Sequence, residues 1–136
     1  MTLSRSFFYS VAIYLVLFSI ATHAKPAPDF YLLDINSKQM RTLNSYKGKV
    51  VYLDFWASWC KPCRASFPWM NEMQNKYGAQ DFAVVTINLD SDISAISGFT
   101  EKYPANFTIL FNADENTPQG YELLGMPSSY LIDRKG

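Results

Sequence analysis

Histidine, cysteine and net charge are all scarce in this sequence, and each shortage excludes a class of function. The 136 residues include 1 histidine and 2 cysteines, and the 12 basic residues balance the 12 acidic ones. No cluster of lysine and arginine follows the N-terminus, so the sequence lacks the basic patch with which proteins bind nucleic acid. The cysteines and histidine are also too few for a tetrahedral zinc site. We therefore expect neither nucleic acid nor metal as a partner.

The N-terminal residues have the features of an export signal. Arg5 supplies a positive charge, residues 7–21 contain no charged side chain, and Thr22 and Ala24 are small residues suited to a cleavage site before Lys25. The apolar run is shorter than the roughly 20 residues that span a bilayer. We predict that residues 1–24 form a cleaved signal peptide, with an uncleaved membrane anchor as the alternative, and that the protein is periplasmic or secreted.

Cleavage at this position would also remove His23, the single histidine of the chain. A mature chain without histidine cannot form a Ser-His-Asp triad or a Cys-His catalytic pair. Residues 25–136 are enough for one domain. The sequence is 49% hydrophobic and 18% charged, which is typical of a folded domain with a core.

The alternation of strand-like and helix-like segments predicts an α/β domain over residues 25–136. Strand patterns cover residues 30–35, 40–43, 50–56, 82–89, 107–111 and 129–132, and helical patterns cover residues 64–77, 93–103 and 117–124. The first two strands, separated by residues 36–39, predict an N-terminal β-hairpin. Residues 133–136 predict a turn without a partner strand after it, which would leave residues 129–132 as an open edge. We therefore expect the domain to be incomplete at its C-terminus.

Residues 59–63 (WCKPC) hold both cysteines in a spacing that suits thiol chemistry. At the start of a helix, free amide groups and the helix dipole stabilise a thiolate, and they can lower the thiol pKa from about 8.5 to about 7. At 1.36 kcal/mol per pKa unit this shift favours the anion by roughly 2 kcal/mol. Cys60 is then the predicted nucleophile, assisted by the charge of Lys61, and Cys63 the resolving thiol. Pro62 is tolerated early in such a helix.

Two other interpretations of the cysteine pair remain open at this point. A purely structural disulfide is common in oxidising compartments, although a bridge across so short a loop constrains the unfolded chain least. A zinc knuckle would need further ligands that the sequence lacks.

The sequence around the cysteines resembles the thioredoxin superfamily, and within it the branch of the TlpA and ResA disulfide reductases. The resemblance is carried by residues 50–68 (VVYLDFWASWCKPCRASFP), with Trp59 directly before the first cysteine and Pro68 after the second, and by residues 125–128 (GMPS) before a strand. It covers residues 26–136. It implies a thioredoxin-like fold, in which a central mixed sheet is flanked by helices, and it implies that the fold's last strand and helix are missing here.

The resemblance also implies roles for individual residues. Pro127 is expected to be cis and to pack beside the sulfurs, an ordinary trans proline being the alternative. Asp54 is expected to be a buried acid that exchanges a proton with Cys63, with a raised pKa; alternatively it is a polar residue satisfied by Lys76 or by backbone. The residues expected to contact the substrate are Trp59, Lys61, Pro62 and Met126.

Two positions depart from the family pattern. ResA-like reductases often carry an acid where this chain has Ser66, which leaves Asp54 as the candidate acid for Cys63. The dipeptide between the cysteines is Lys-Pro rather than Gly-Pro.

The function that the resemblance implies is an exported protein-disulfide reductase. Its substrates would be protein thiols and disulfides, including apocytochrome c before haem attachment, and a membrane thiol relay would supply electrons. We expect a monomer that needs no cofactor beyond its own redox-active disulfide. The alternatives are a disulfide oxidase or isomerase, a thiol peroxidase, and a binding module with an inert disulfide.

Overall fold

A computed structural model of the protein describes residues 25–112 and 116–136. The predicted signal peptide or anchor at residues 1–24 lies outside this range. Among the residues that are described, no helix combines the length and the apolar character needed to cross a membrane.

Six strands form one mixed sheet in the described part of the chain. They are β1 (Leu32–Asp34), β2 (Met40–Arg41), β3 (Val50–Trp56), β4 (Phe82–Asn88), β5 (Thr108–Phe111) and β6 (Ser128–Ile132). Their order across the sheet is β2-β1-β5-β4-β3-β6. The neighbours β3, β4 and β5 run parallel, whereas β1 and β6 pair antiparallel with β5 and β3, and β2 with β1. The predicted α/β architecture and N-terminal hairpin are therefore confirmed.

The helices differ from their predicted bounds at several ends. They are α1 (Lys61–Tyr77), α2 (Ser94–Thr100) and α3 (Asn116–Gly120), with a short 3-10 helix at Leu43–Tyr46. The predicted strand over residues 40–43 stops at Arg41, because the chain turns into the 3-10 helix, where the Thr42 amide donates to the Ser45 hydroxyl at 3.1 Å. Helix α1 begins at Lys61, before the start at residue 64 that the spacing of apolar residues predicts, because Cys60 caps it.

Helix α3 ends well before residue 124, where the sequence placed its end. Glu122 adopts a positive φ of 53°. Its amide donates to the Gln119 carbonyl at 2.9 Å, and the Leu123 amide donates to the Pro118 carbonyl at 3.0 Å. This is the hydrogen-bond pattern of a Schellman cap, which satisfies the last carbonyls of a helix and ends it. The predicted extension of this helix was wrong because a left-handed glutamate cannot be recognised from the sequence.

Apolar side chains cover both faces of the sheet, because alternate residues of a strand point to opposite sides. One cluster lies on the face of Leu53 and Phe55 and includes Phe30, Leu32, Leu43, Val51, Val85, Ile87, Leu110, Tyr121 and Ile132. The other lies on the face of Trp56 and includes Cys60, Cys63, Phe67, Met70, Val84, Ile96, Phe99, Phe107 and Ile109. Strand β3 is therefore buried on both faces and lies between β4 and β6.

Two tyrosines connect the N-terminal segment to the loop before β6. The Tyr130 hydroxyl donates to the Tyr121 carbonyl at 2.7 Å, and the Tyr121 hydroxyl donates to the Pro28 carbonyl at 2.7 Å. Their rings lie 5.1 Å apart and both pack against Phe55. The position of the loop therefore depends on residues near the beginning of the described chain.

Replacement of Tyr130 by phenylalanine should lower the free energy of unfolding by about 1 kcal/mol, because the Tyr121 carbonyl loses its buried donor while the ring packing is kept. Urea denaturation of the oxidised protein measures the change. Tyr31→Phe is the matched control, since the Tyr31 side chain is 69% exposed. Equal stabilities of the two variants would contradict this account of the tyrosine pair.

Candidate active site

Three loops meet at one end of the sheet, where the parallel strands β3 and β4 have their carboxyl ends. The parallel strands β3 and β4 end there together, with Trp56 opposite Asn88. Strand β6 runs antiparallel to β3 and begins at the same edge, with Ser128 opposite Phe55. The pairing therefore brings residues 57–60, which lead to the first cysteine, close to residues 89–93 and to Met126 and Pro127.

Cys60 and Cys63 form a disulfide at the start of α1. The sulfur–sulfur distance is 2.01 Å and the Cα atoms are 5.4 Å apart. Cys60 is the N-cap residue of the helix, and its Sγ accepts a hydrogen bond from the Cys63 amide at 3.3 Å. Cys63 is fully buried and Cys60 is 5% exposed, so the second cysteine lies deeper than the first, and the first is only slightly open to solvent.

The surroundings of the Cys60 sulfur favour a thiolate once the disulfide is reduced. The amide that already points at Sγ would donate to the anion, and the positive end of the 17-residue helix α1 lies at the same place. Both effects stabilise the charged form more than the neutral thiol. The helix start therefore provides the electrostatic setting that a nucleophilic cysteine needs.

The residues next to the cysteines form an exposed rim. Trp59 is 70% exposed, and Lys61 and Pro62 are also exposed. Met126 is partly buried and packs against the cluster that contains both cysteines. All four predicted substrate contacts thus lie at this edge of the sheet, and their role in binding remains a prediction.

The Met126–Pro127 peptide bond is cis, which is the isomer that the family resemblance implies. Pro127 itself is exposed, and the loop residue that packs towards the cysteines is Met126. The Ser128 hydroxyl donates to the Gly125 carbonyl at 2.6 Å and closes the turn around the proline. Packing of Pro127 directly against the sulfurs stays a prediction.

Asp54 lies in the middle of β3 and is 2% exposed. Strand alternation places its side chain on the same face of the sheet as Trp56, which is the face that α1 and Cys63 cover. Its Oδ2 atom has no hydrogen-bond partner in the described part of the protein. Burial raises the pKa of Asp54 from 3.8 to about 7, because the charged form would lose its water without gaining a partner.

The alternative interpretation of Asp54, as a residue satisfied by Lys76, does not fit the structure. The Lys76 ammonium lies 5.1 Å from the centre of the Tyr77 ring. Burial is the sole cause of the raised pKa of Asp54, with no contribution from a cation. A carboxyl group with a pKa of about 7 is present in both protonated and ionised forms near neutral pH, so it can gain or lose a proton there.

The sequence analysis missed one polar cluster of this edge. Asp90 accepts hydrogen bonds from the Ser58 amide and hydroxyl, both at 2.9 Å, and from the Asn88 side chain at 2.7 Å. The signal available in the sequence is that Ser58 and Asp90 follow the paired strand ends Trp56 and Asn88 by the same interval. Only the parallel pairing of β3 and β4 turns that interval into a contact.

The described residues do not gather three or more His, Cys, Asp or Glu side chains into a group that could hold a metal ion. The chemistry that the site offers on its own residues is that of the two sulfurs and of one buried carboxyl group that can exchange a proton near pH 7.

Comparison with known proteins places this geometry in a family. The model of the AhpC/TSA family matches residues 23–136. The thiol-disulfide oxidoreductase ResA of Bacillus thuringiensis subsp. konkukian is 33% identical over 112 residues, which cover 82% of this chain and 64% of ResA. The chain thus spans less than two thirds of the length of this relative.

Solved structures are similar in fold. A Chlorobium tepidum protein assigned as a thiol:disulfide interchange protein DsbE shares 50% identity at a TM-score of 0.78, over 82% of this chain and 78% of that one. The thioredoxin domain of a thiol-disulfide oxidoreductase from Bacteroides vulgatus also reaches 0.78, at 23% identity over 82% and 81% of the two chains, which shows the fold alone. The predicted thioredoxin-like fold is confirmed. The chain therefore belongs to the AhpC/TSA family, as a ResA-like member of the thioredoxin superfamily, in agreement with the resemblance found in its sequence.

Proposed function

We propose that this protein is a thiol–disulfide oxidoreductase that reduces disulfides in exported proteins. The observation that carries the proposal is the Cys60–Cys63 disulfide at the start of α1, with the Cys63 amide directed at the Cys60 sulfur at 3.3 Å. The names of its relatives, ResA and DsbE, support the same chemistry. An inert structural bridge would not need its sulfur at a helix N-terminus beside an exposed tryptophan.

The reaction begins with the reduced pair. The Cys60 thiolate attacks one sulfur of a substrate disulfide, which forms a mixed disulfide and releases the other substrate sulfur as a thiolate. Cys63 then loses its proton and attacks the Cys60 sulfur, which frees the second substrate thiol and forms the Cys60–Cys63 disulfide. Two electrons have passed to the substrate, and a dithiol reductant must return them to the pair before the next cycle.

Asp54 is the proposed acceptor of the Cys63 proton. Cys63 is fully buried, so its ionisation needs a base on the protein side of the site. Asp54 lies on the face that α1 covers, and with its pKa raised to about 7 it is a far stronger base than an ordinary carboxylate. It accepts the proton as Cys63 attacks and returns it when the disulfide is reduced again.

The place and partners of the reaction follow from the same proposal. The charge-free run at residues 7–21 supports export to the periplasm or beyond. The exposed rim of Trp59, Pro62 and the Met126–Pro127 loop suits an extended segment of a protein substrate, such as an apocytochrome c. A membrane thiol relay is the proposed electron donor, the working unit is a monomer, and the chain's own disulfide is the only redox group required.

Replacement of Cys60 by serine should abolish the protein's acceleration of insulin reduction by dithiothreitol and leave only the uncatalysed rate, because the attacking sulfur is gone. Turbidity of the precipitating insulin B chain measures the rate. Cys63→Ser is the matched control, and it should accumulate a mixed disulfide with the substrate, visible by mass spectrometry. Equal rates for wild type and Cys60→Ser would instead favour the inert binding module, and rapid peroxide consumption in place of insulin reduction would favour a thiol peroxidase.

The redox potential of the Cys60–Cys63 pair should lie close to that of reducing thioredoxins, at about −270 mV, rather than near the roughly −120 mV of a strong oxidant. Equilibration with glutathione buffers, followed by quenching and mass spectrometry, gives the value. A potential near that of the oxidant would replace the reductase with an oxidase of the same fold.

Replacement of Asp54 by asparagine should slow the release of substrate from the mixed disulfide by tenfold or more at pH 8, a modest share of the roughly 100-fold or greater effect of general bases. The pKa of Asp54 is raised to about 7, so the wild-type carboxyl is protonated below pH 7 and becomes able to accept a proton above it. The wild-type release rate should therefore rise with pH through about 7.

Asp54→Asn should lose this rise and approach the wild-type rate at pH 6. Stopped-flow measurement of both steps tests the assignment, since formation of the mixed disulfide depends on Cys60 and should change little. Asp34→Asn is the control, because Asp34 is likewise buried but lies on β1, which β5 and β4 separate from β3 and the cysteine turn. Identical pH profiles for wild type and Asp54→Asn would refute the proton transfer.

A further inference from the structure

Asp90 is a buried carboxyl group for which the proposed chemistry has no direct use. It is 6% exposed, and it receives the Ser58 amide on Oδ2 and the Ser58 hydroxyl on Oδ1, both at 2.9 Å. The Asn88 side chain donates to Oδ2 at 2.7 Å, while the Asp90 amide donates back to the Asn88 side chain at 3.0 Å. Each group that contacts the Asp90 carboxyl oxygens donates a hydrogen bond to them, which suits a carboxylate because its oxygens are acceptors.

Ser58 belongs to the tight turn that leads into the first cysteine. The Cys60 amide donates to the Ala57 carbonyl at 3.0 Å, which closes this turn. Asp90 therefore holds the second residue of the turn through both its backbone and its side chain. The third residue, Trp59, projects into solvent, and the fourth, Cys60, caps helix α1.

The contact between the Cys60 sulfur and the Cys63 amide depends on where this turn places Cys60. A rotation of the turn would move Sγ away from the amide, which lies 3.3 Å from it, and hydrogen bonds weaken steeply as they lengthen or bend. In the reduced protein no sulfur–sulfur bond holds Sγ in place, so the turn alone has to do so.

We propose that Asp90 is a positioning residue for the nucleophile: by fixing Ser58, it keeps the Cys60 sulfur within hydrogen-bonding reach of the Cys63 amide when the disulfide is open. The inference rests on the proposed function and adds a regulator of reactivity at the same site. In Asp90→Asn, the side-chain NH2 group would face groups that are themselves hydrogen-bond donors. Part of the hydrogen bonding between residue 90 and Ser58 would therefore be lost.

The charge of Asp90, taken alone, would act in the opposite direction. A nearby negative charge disfavours a thiolate, so its removal by itself would lower the thiol pKa of Cys60 and speed its reactions. Other charged or titratable groups on the surrounding elements include Asp54 on β3, Lys61 and Arg64 on α1, and Asp92 before α2, and the variants below retain all of them. A slower reaction of Cys60 in Asp90→Asn therefore indicates positioning, whereas a faster one indicates a simple electrostatic effect.

The test is the rate of Cys60 alkylation by iodoacetamide in the reduced protein between pH 5 and pH 10. Mass spectrometry identifies the modified cysteine. We expect Asp90→Asn to react more slowly than wild type at pH 7, by up to about 15-fold if the thiol pKa returns from about 7 to about 8.5. We expect Ser58→Ala, which loses the hydroxyl contact but keeps the amide contact and the charge, to slow in the same direction by a smaller factor. All rates should converge at high pH, where every thiol is ionised.

Asp34→Asn is the matched control. Asp34 is also 6% exposed, and it too holds a turn, through the Asn36 amide at 2.9 Å and the Ser37 hydroxyl at 2.8 Å. Loss of that clamp should lower stability to urea and leave the alkylation profile unchanged. A merely structural role of Asp90 predicts the same result for Asp90→Asn.

Four outcomes would overturn the proposal: an unchanged profile in Asp90→Asn, faster alkylation of Asp90→Asn, an unchanged profile in Ser58→Ala, or equal shifts in all three variants. The alkylation assay contains no protein substrate, so its result is independent of the proposed function. Failure of the wild type to reduce insulin would refute that function while leaving the thiol measurement interpretable.

Discussion

The Cys63 amide faces the Cys60 sulfur at the first turn of α1, and much of the surrounding structure serves to keep it there. Strand β3 delivers the chain to the edge of the sheet, and the turn at residues 57–60 reverses it into the helix. The aromatic side chains of Trp56 and Phe67, 4.9 Å apart, fix the helix against the sheet beneath the cysteines. Because the amide is part of the helix backbone, the field at the sulfur is preorganised and does not have to be assembled during the reaction.

Retention of Asp54 in the core makes the folded state less stable at high pH. Its pKa is raised from 3.8 in the unfolded chain to about 7 in the fold, so the unfolded chain releases the proton first. Stability therefore falls as the pH rises from about 4 to about 7 and is constant above that range. The loss is on the order of 4 kcal/mol at 1.36 kcal/mol per pKa unit. This loss is a large part of the stability of a small domain, so packing alone does not account for a carboxyl group at this position.

Sequence reasoning identified the features that depend on local pattern and missed those that depend on register. The apolar runs of β3 and β4 were placed almost residue by residue, because buried parallel strands have continuous apolar sequences. The cysteine motif and the loop at Pro127 were recognised from their short motifs. The clamp of Ser58 by Asp90 was not, because it exists only once two distant strands are paired. The positive φ of Glu122 was missed because such a backbone conformation is predicted from sequence mainly at glycine, and a glutamate gives no comparable signal.

The long sequence separation of the tyrosine contacts predicts an order in which the site is assembled. The cysteine turn and α1 are local structures, whereas the loop at Pro127 is held by a hydrogen bond from Tyr121 to Pro28, a sequence separation of 93 residues. Contacts of such long range close large loops and form after local ones in most small domains. A chain that emerges and folds from its N-terminus would therefore expose a helix-capped dithiol before the loop beside it is complete. For an interval during biogenesis, the cysteine pair would be unprotected and open to disulfide exchange with other thiols.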